Sequence, residues 1–506
     1  MARACAVGGR GRRLRPIARL SPVTIQLFNT ATRRLEPFAP VSDGQASLYV
    51  CGATVQGSPH LGHMRTAVVF DQLRRWLLYR GYEVTFVRNI TDIDDKILAK
   101  SVEESRPWWA HAYHYSQEFT AAYDALGVLR PTYEPLATGH MTEMIELIER
   151  LIAAGHAYPA LDGSADVYFD ARSWPDYGSL TNQQLDDMAA ADDAPLRGKK
   201  DPRDFALWKA RKDGDPLTAS WPSPWGRGRP GWHIECSAMS TKYLGAEFDI
   251  HGGGLDLRFP HHENERAQSN AAGDPFARIW MHSGLLNVGG DKMSKSLGNS
   301  IFARDLLSAF DPIVIRYALS TAHYRSVLEF SESLVTAQAT ALERFENFLT
   351  RAREILGEDA PAAPEVADGY RDRVTEVPAD FAAAMDDDLS VPKALSVAFS
   401  TVGEGYRQLE AGSVDRTQLA RTVAELELML DVLGINPLAG SWATASGADS
   451  GAEAGLRALV EELATERLAA KQAKDYDRAD EIRDLLSRAG VQLEDTPGGY
   501  RYSLKG

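Results

Sequence analysis

Cysteine is scarce in this chain, with three residues in 506: Cys5, Cys51 and Cys236. So few thiols exclude an extracellular disulfide framework and point to a reducing compartment. No apolar run reaches the ~20 residues that a membrane span needs, so no membrane association is expected. Positive charge is also in short supply. Against 70 Asp and Glu stand 55 Lys and Arg, a net charge of −15, which excludes a general polyanion binder. A nucleic-acid partner would need local basic patches and recognition of shape. Internal repeats are absent. Residues 1–22 reverse the balance, with six arginines and no acid. They hold too little apolar content to fold alone and no continuous core of a secretory signal. A targeting segment or an upstream start codon fits them; a disordered tail is the expectation.

What is present is ordinary in bulk: 44% hydrophobic and 25% charged residues make a globular chain. Its length allows about three domains. The stretch Ser47–Arg65, SLYVCGATVQGSPHLGHMR, organises the rest. An apolar run at Leu48, Tyr49 and Val50 predicts a buried strand, and Gly52, Gly57, Ser58 and Pro59 break it. Apolar residues then recur at helical spacing through Val68, Val69, Leu73 and Leu77. Ser58 suits a helix cap and Pro59 a first-turn position. A helix start of this kind offers unpaired N–H groups and a positive dipole end to phosphate. His60 and His63 can donate to phosphate oxygens, and Gly62 lets a flat base or ribose approach the backbone. Alone, HxGH is equally a βα loop with two surface histidines.

Thr24–Asn29, Ala46–Val50 and Glu83–Ile90 read as strands, and strand, helix, strand at this spacing is a right-handed βαβ unit. Ligands bind beyond the carboxyl ends of such parallel strands, where Cys51, His60, His63 and Asp92 would gather. Helices are predicted at Trp108–Leu126 and Met141–Ala154, short strands within Gly163–Tyr177, and an irregular surface insertion at Asp186–Pro202. The sheet resumes through Phe248–His251 and Ile279–Ser283. After Phe302 the pattern is helical almost to the end, with long stretches at Ser331–Leu356, Ala379–Leu409 and Arg416–Leu433. Ala439–Gly455 reads as a flexible linker. The last piece has a helix at Leu456–Leu468, another at Tyr476–Leu486, and a short β segment.

Two thiols, an imidazole and a carboxylate would make a tetrahedral zinc set. Cys51 and Cys236 supply the sulfurs. PHHENE at 260–265 supplies the rest: His261 and Glu265, at i and i+4, share a helix face. Spacing alone does not rank His261 over His262, and HHENE alone reads first as a solvated helix start, a reading that its conjunction with both cysteines reverses. A zinc beside the phosphate site could read a substrate thiolate, since a hydroxyl binds zinc far more weakly. Such a contact could replace an editing site, because hydrophobic pockets discriminate only about 10- to 200-fold per methylene. Trp232 could cover the pocket or simply pack in the core, and His251 opens a glycine triplet. In KMSKS, at 292–296, Lys292 and Lys295 could close over a triphosphate and neutralise departing pyrophosphate.

HLGH at 60–63 with KMSKS at 292–296 resembles the paired signatures of class I aminoacyl-tRNA synthetases. YVCGATV, VRNITDIDDKI, RPGWHIECSAM, FDIHGGG and FPHHENE resemble the cysteinyl-tRNA synthetase family, from about Val23 to the C-terminus. The resemblance implies an α/β fold: a Rossmann-like parallel-sheet catalytic domain at 23–300 with an insertion at roughly 110–215. A stem-contact fold and all-helical anticodon-binding bundle at 301–438 would follow, then the linker 439–455 and a small α+β anticodon-recognition module at 456–506. It implies ATP-dependent activation of L-cysteine to cysteinyl-adenylate and transfer to the terminal adenosine of tRNA(Cys). It places one Zn²⁺ on Cys51, Cys236, His261 and Glu265, which decides for His261. ATP with Mg²⁺ falls to His60, Gly62, His63, Lys292 and Lys295, with catalysis by the two histidines and two lysines, and the substrate to Thr54, Trp232 and His251. A cytoplasmic monomer is expected. Leu61 stands where isoleucine is usual, a neutral swap of equal volume, and the Arg-rich head is foreign to the pattern.

A related ligase joins cysteine to glucosaminyl-inositol in mycothiol synthesis and shares both signatures and the thiolate zinc site. It resembles a truncated synthetase, whereas this chain keeps Glu265 and a long helical C-terminal half. A zinc-stabilised RNA-binding protein without catalysis is the rival from another class. Paired histidines and lysines on either side of the sheet argue against it.

Overall fold

The computed structural model describes residues 24–504 apart from 192–195, 197, 290, 293–299, 365, 367–368, 372, 374, 412, 441, 443–449, 490 and 497–498. Two compact units divide the chain, Met1–Trp442 and Ala443–Gly506.

The first unit is built on four parallel strands. β1 (Gln26–Asn29) and β2 (Arg34–Pro37) form an antiparallel hairpin, and Thr30, just past β1, donates its N–H to Trp280. β3 (Gln45–Val50) leads through Cys51 to α1 (Leu61–Tyr79) and β4 (Glu83–Arg88). Further along come β9 (Glu247–Gly254) and β10 (Phe276–Ser283), and the sheet order is β10-β9-β3-β4. Leu48 faces Phe86 on one side and Ile250 on the other, and Tyr49 faces His251. Apolar runs such as Leu48-Tyr49-Val50 suit central parallel strands, which are covered on both faces. Helix α1 buries Val68, Val69, Leu73, Trp76 and Leu77.

Between β4 and α5 (Trp232–Leu244) the chain leaves the parallel sheet. It forms α2 (Asp95–Glu103), α3 (Trp108–Ala125) and α4 (Met141–Ala153). An antiparallel sheet follows, made of β5 (Ala157–Pro159), β6 (Val167–Phe169), β7 (Phe205–Ala210) and β8 (Gly228–Pro230). Buried Arg229 on β8 and Lys209 on β7 both pair with Asp95, which ties this sheet to the start of α2.

After β10 the chain turns back through β11 (Leu286–Val288) and β12 (Asp291–Lys292), then runs into α7 (Ala303–Ala309) and α8 (Pro312–Ser320). The expectation of helix throughout this half misses β13 (Leu328–Phe330), which lies parallel to β11. Three residues are too few for periodicity to register. Helices α9 (Glu332–Leu356), α10 (Ala379–Asp386), α11 (Val391–Glu410) and α12 (Arg416–Leu433) complete the unit. Ala379–Leu409 is thus two helices rather than one stretch. Asp388 and Leu389 take left-handed φ values of 56° and 51° between them. There Asp388 accepts the Phe28 N–H (2.8 Å), the Tyr324 hydroxyl (2.7 Å) and Arg325 Nε (2.7 Å), so tertiary contacts override local helix propensity.

In the second unit, helices Ser450–Gln472 and Tyr476–Arg488 pack with the hairpin Val491–Thr496 and Gly499–Leu504 around Val460, Ile482, Leu486 and Val491. Of the expected linker 439–455, residues 441 and 443–449 lie outside the described residues, and 450–455 are already helical. Alanine and glutamate at 452–454 favour helix despite the glycines beside them. No helix among the described residues is long and apolar enough to cross a membrane.

Candidate active site

The loop after β3 is fixed before it reaches the signature. Cys51 donates its N–H to the Gly252 carbonyl (2.9 Å), and Gly52 donates to Asn89 Oδ1 (2.8 Å). A Cβ on Gly52 would collide with the Asn89 carbonyl, so only glycine allows this approach. The cap of α1 is His60, not Ser58 as the sequence suggests, and Pro59 lies outside the helix. His60 Nδ1 accepts the Gly62 N–H (3.2 Å), and His63 Nδ1 accepts the His60 N–H (3.2 Å). The two rings stack with centroids 3.7 Å apart. This reciprocal pair does the work of a Ser–Glu capping box. With each Nδ1 accepting, the neutral imidazoles carry their protons on Nε2 and are donors there.

A cavity of about 480 Å³ opens at the carboxyl ends of the strands. Cys51, Thr54, His60, Gly62, His63 and Trp232 line it. Four donors converge at its floor and behind it. Single ligand atoms of Cys51, Cys236, His261 and Glu265 all lie within 4.8 Å of one another, and all four residues are buried. Cys51 comes from the end of β3 and Cys236 from the second turn of α5. His261 and Glu265 come from the turn that opens α6 (Glu263–Ala271). Cys51 Sγ is 3.3 Å from Glu265 Oε1, and His261 Nε2 is 3.0 Å from the same oxygen. Trp232 stacks on His261 at 4.2 Å, between the cavity and the imidazole.

The surroundings aim these donors. His233 Nδ1 meets His261 Nδ1 at 2.9 Å, which leaves His261 Nε2 for the centre. His251 Nε2 lies 2.8 Å from Glu265 Oε2 and 4.0 Å from Cys51 Sγ. His251 is therefore placed behind the donors rather than among the residues lining the cavity. Glu263 is otherwise engaged, accepting the N–H groups of Gly178 and Thr181 at 2.9 Å each. His262 Nδ1 meets His282 Nε2 at 2.8 Å. A second set, Cys51, His251, His262 and Glu265, also satisfies the 4.8 Å limit and shares two members with the first. Burial pushes the Cys51 thiol well up, with Cys236 and Glu265 adding to it, and burial raises Cys236 as well. Burial alone would raise Glu265 too, but His251 beside it, with the hydrogen bonds from His251 and Cys51, holds it below its usual range. Burial drives His261 and His233 down to about 3, so both are neutral. Neutral imidazoles and groups that must lose protons to bind are the chemistry of a divalent metal site.

Lys292 has its backbone in β12, paired with Asn287, while Lys295 lies outside the described residues. Sequence reasoning missed the supporting roles of His233 and His282, although His233 stands three residues before Cys236, on the same helix face. It also missed Lys96, which lines the cavity from α2.

Residues 37–340 match the family model described as the tRNA synthetases class I (C) catalytic domain, and residues 380–437 match the DALR domain. Fold and site together define a class I aminoacyl-tRNA synthetase. The cysteine–tRNA ligase of Clavibacter sepedonicus is 56% identical over 490 residues, covering 96% of this chain and 100% of that one. Those of Cutibacterium acnes and Renibacterium salmoninarum are 52% and 54% identical, each across 96% of this chain and 98% and 99% of their own. The chain belongs to the cysteine–tRNA ligase family. Among solved structures, Mycobacterium tuberculosis methionyl-tRNA synthetase in complex with methionyl-adenylate superposes with a TM-score of 0.55 at 17% identity, over 79% of this chain and 91% of that one. The LeuRS of a ternary complex from Agrobacterium radiobacter K84 gives 0.56 at 13%, over 82% and 86%. At such identities the likeness is one of fold.

Proposed function

We propose that the chain activates L-cysteine with ATP and transfers it to the terminal adenosine of tRNA(Cys). The cysteine carboxylate attacks the α-phosphorus and pyrophosphate leaves. The adenosine hydroxyl then attacks the acyl carbon and AMP leaves. One observation carries this reading: Cys51 belongs both to the donor set and to the wall of the cavity that His60 and His63 line. Cys51, Cys236, His261 and Glu265 would hold zinc, and their two sulfurs suit zinc better than the single sulfur of the alternative set. Bound there, zinc supplies a Lewis acid that takes a thiolate far more readily than a hydroxyl, which separates cysteine from serine.

The chain's own residues do the rest. The α1 N-terminus and the Nε2–H groups of His60 and His63 face negative charge as it builds on the phosphates. Lys292 and Lys295, with Mg²⁺, are assigned to the leaving pyrophosphate. Thr54 and Trp232 border the amino-acid end, and His251 orients Glu265. Catalysis is then positioning and electrostatics, with no covalent enzyme intermediate. The helices after residue 301 and the C-terminal unit are assigned to the tRNA, and a monomer in the cytoplasm is the working state.

Two assays test this. ATP–pyrophosphate exchange should require cysteine, and labelled cysteine should pass to tRNA and not to glucosaminyl-inositol. Exchange without transfer to tRNA would refute the acceptor. Absence of exchange would refute the enzyme.

A further inference from the structure

Arg65 follows the second signature histidine by two residues on α1 and is only 1% exposed. Among the described residues it has no carboxylate partner. Its guanidinium instead donates to four main-chain carbonyls: Leu285 and Ser326 at 2.6 Å each, Gly284 at 3.1 Å and His323 at 3.4 Å. A buried cation without a counter-charge is costly, and a core position could be filled more cheaply by an apolar side chain. What arginine adds is a rigid fork of five donors that can hold several acceptors in one arrangement.

Those acceptors come from two strands of chain that matter to the cavity. Gly284 and Leu285 line it directly, next to Ser283 at the end of β10. They lead into β11, whose Asn287 and Val288 pair with Lys292 and Asp291 of β12. His323 and Ser326 lead into β13, which pairs with the other edge of β11. The two segments touch main chain to main chain, because a Cβ on Gly284 would collide with the Ser326 carbonyl. The 323–326 segment is held from its far side as well, where Asp388 takes Tyr324 and Arg325. One guanidinium therefore joins the signature helix, the cavity wall and the segments that lead into β11 and β13.

We propose that Arg65 is a positioning residue for adenylate formation, holding the Gly284–Leu285 wall and the β11–β12 strands in register with His60 and His63. It touches no substrate itself. Its effect passes through the main chain it holds, and a misplacement of about 1 Å at such a site can cost 10²-fold in rate. The inference rests on the reading of this cavity as the site of cysteine activation.

Two variants approach the same contact from opposite sides. Arg65→Lys keeps a positive charge but loses the fork. Gly284→Ala leaves Arg65 intact and pushes the wall away from Ser326. Cysteine-dependent ATP–pyrophosphate exchange is measured for both on the full chain, per active site counted from the adenylate burst, alongside melting curves. Each variant is expected to lose about 10²-fold in kcat, while the KM for cysteine stays within about twofold. A merely structural role would lower the melting temperature and the number of active sites, leaving kcat per site intact. Unchanged kcat per site in either variant overturns the inference, and where one variant does not fold, the other decides alone. Absence of exchange in the unaltered chain overturns the functional reading and this inference with it. Exchange there, with both variants intact per site, overturns the inference only.

Discussion

His251 Nε2 stands 2.8 Å from Glu265 Oε2, while Oε1 of the same carboxylate faces Cys51 and His261. One imidazole thus orients one oxygen by holding the other. Partners of this kind typically account for 10- to 100-fold in metal affinity. His251→Ala should therefore weaken zinc binding by about 10-fold or more without removing a ligand, and chelator competition reads it directly. Zinc affinity unchanged in that variant would show that Glu265 needs no such support.

Removing a ligand should act differently. Cys236→Ser leaves the helix intact but replaces a thiolate donor with a hydroxyl. Zinc content per chain and cysteine binding should fall together, by elemental analysis and calorimetry on one preparation. Stoichiometric zinc retained in that variant would count against the set Cys51, Cys236, His261 and Glu265 and favour the one built on His251 and His262.

His60 caps α1, and the proposed mechanism gives it a second duty that substitution can separate from the first. Its Nδ1 caps α1 through Gly62, and its Nε2–H points the other way on the ring. Asparagine is among the best caps, whereas alanine costs about 1 kcal/mol at such a position. His60→Asn should keep the melting temperature of the parent, and His60→Ala should lower it. Both should lose roughly 10² in the exchange rate, the usual cost of one missing donor to developing charge. An asparagine variant of normal activity would leave His60 as a cap alone.

How far the sequence could be read follows from what each feature depends on. Strand β3 and helix α1 were legible because apolar runs and helical spacing act locally. Of the four residues that cluster at Cys51, the two cysteines were legible because thiols are scarce and Cys51 and Cys236 each sit in a motif, whereas His261 over His262 came from the family resemblance and not from spacing. The histidine cap was not legible, since imidazole is an uncommon cap and Ser58-Pro59 is the better local signal. Nor was the break at Asp388, whose left-handed backbone is held by Phe28, some 360 positions away in sequence. Arg65 was invisible for the same reason: its acceptors are carbonyls, which every residue has.

Asp71 on α1 gives the last prediction, on stability against pH. It is fully buried, 2.5 Å from Arg316 and 2.7 Å from Arg75, and it accepts the Leu129 N–H at 2.8 Å. Burial alone would raise its carboxyl, but Arg75, Arg316 and that N–H outweigh it and bring it down from 3.8 to about 2. A depressed folded value means that the unfolded chain takes up the proton first as acid is added. The stabilisation is therefore complete above the unfolded value and fades as pH falls through the folded one. About 2 kcal/mol should be lost across that window. Asp71→Asn removes the titrating group but leaves buried Arg316 without its carboxylate and Arg75 with only Asp431, 3.9 Å away, so it should be less stable at neutral pH by about 3 kcal/mol or more. Its denaturation midpoint should also change less than the parent's between pH 4 and pH 2, roughly by the share this one carboxylate contributes. Urea titrations at several pH values give both quantities. Parallel acid profiles for the two proteins would mean that the Asp71 ion pairs do not set the acid limit of this fold.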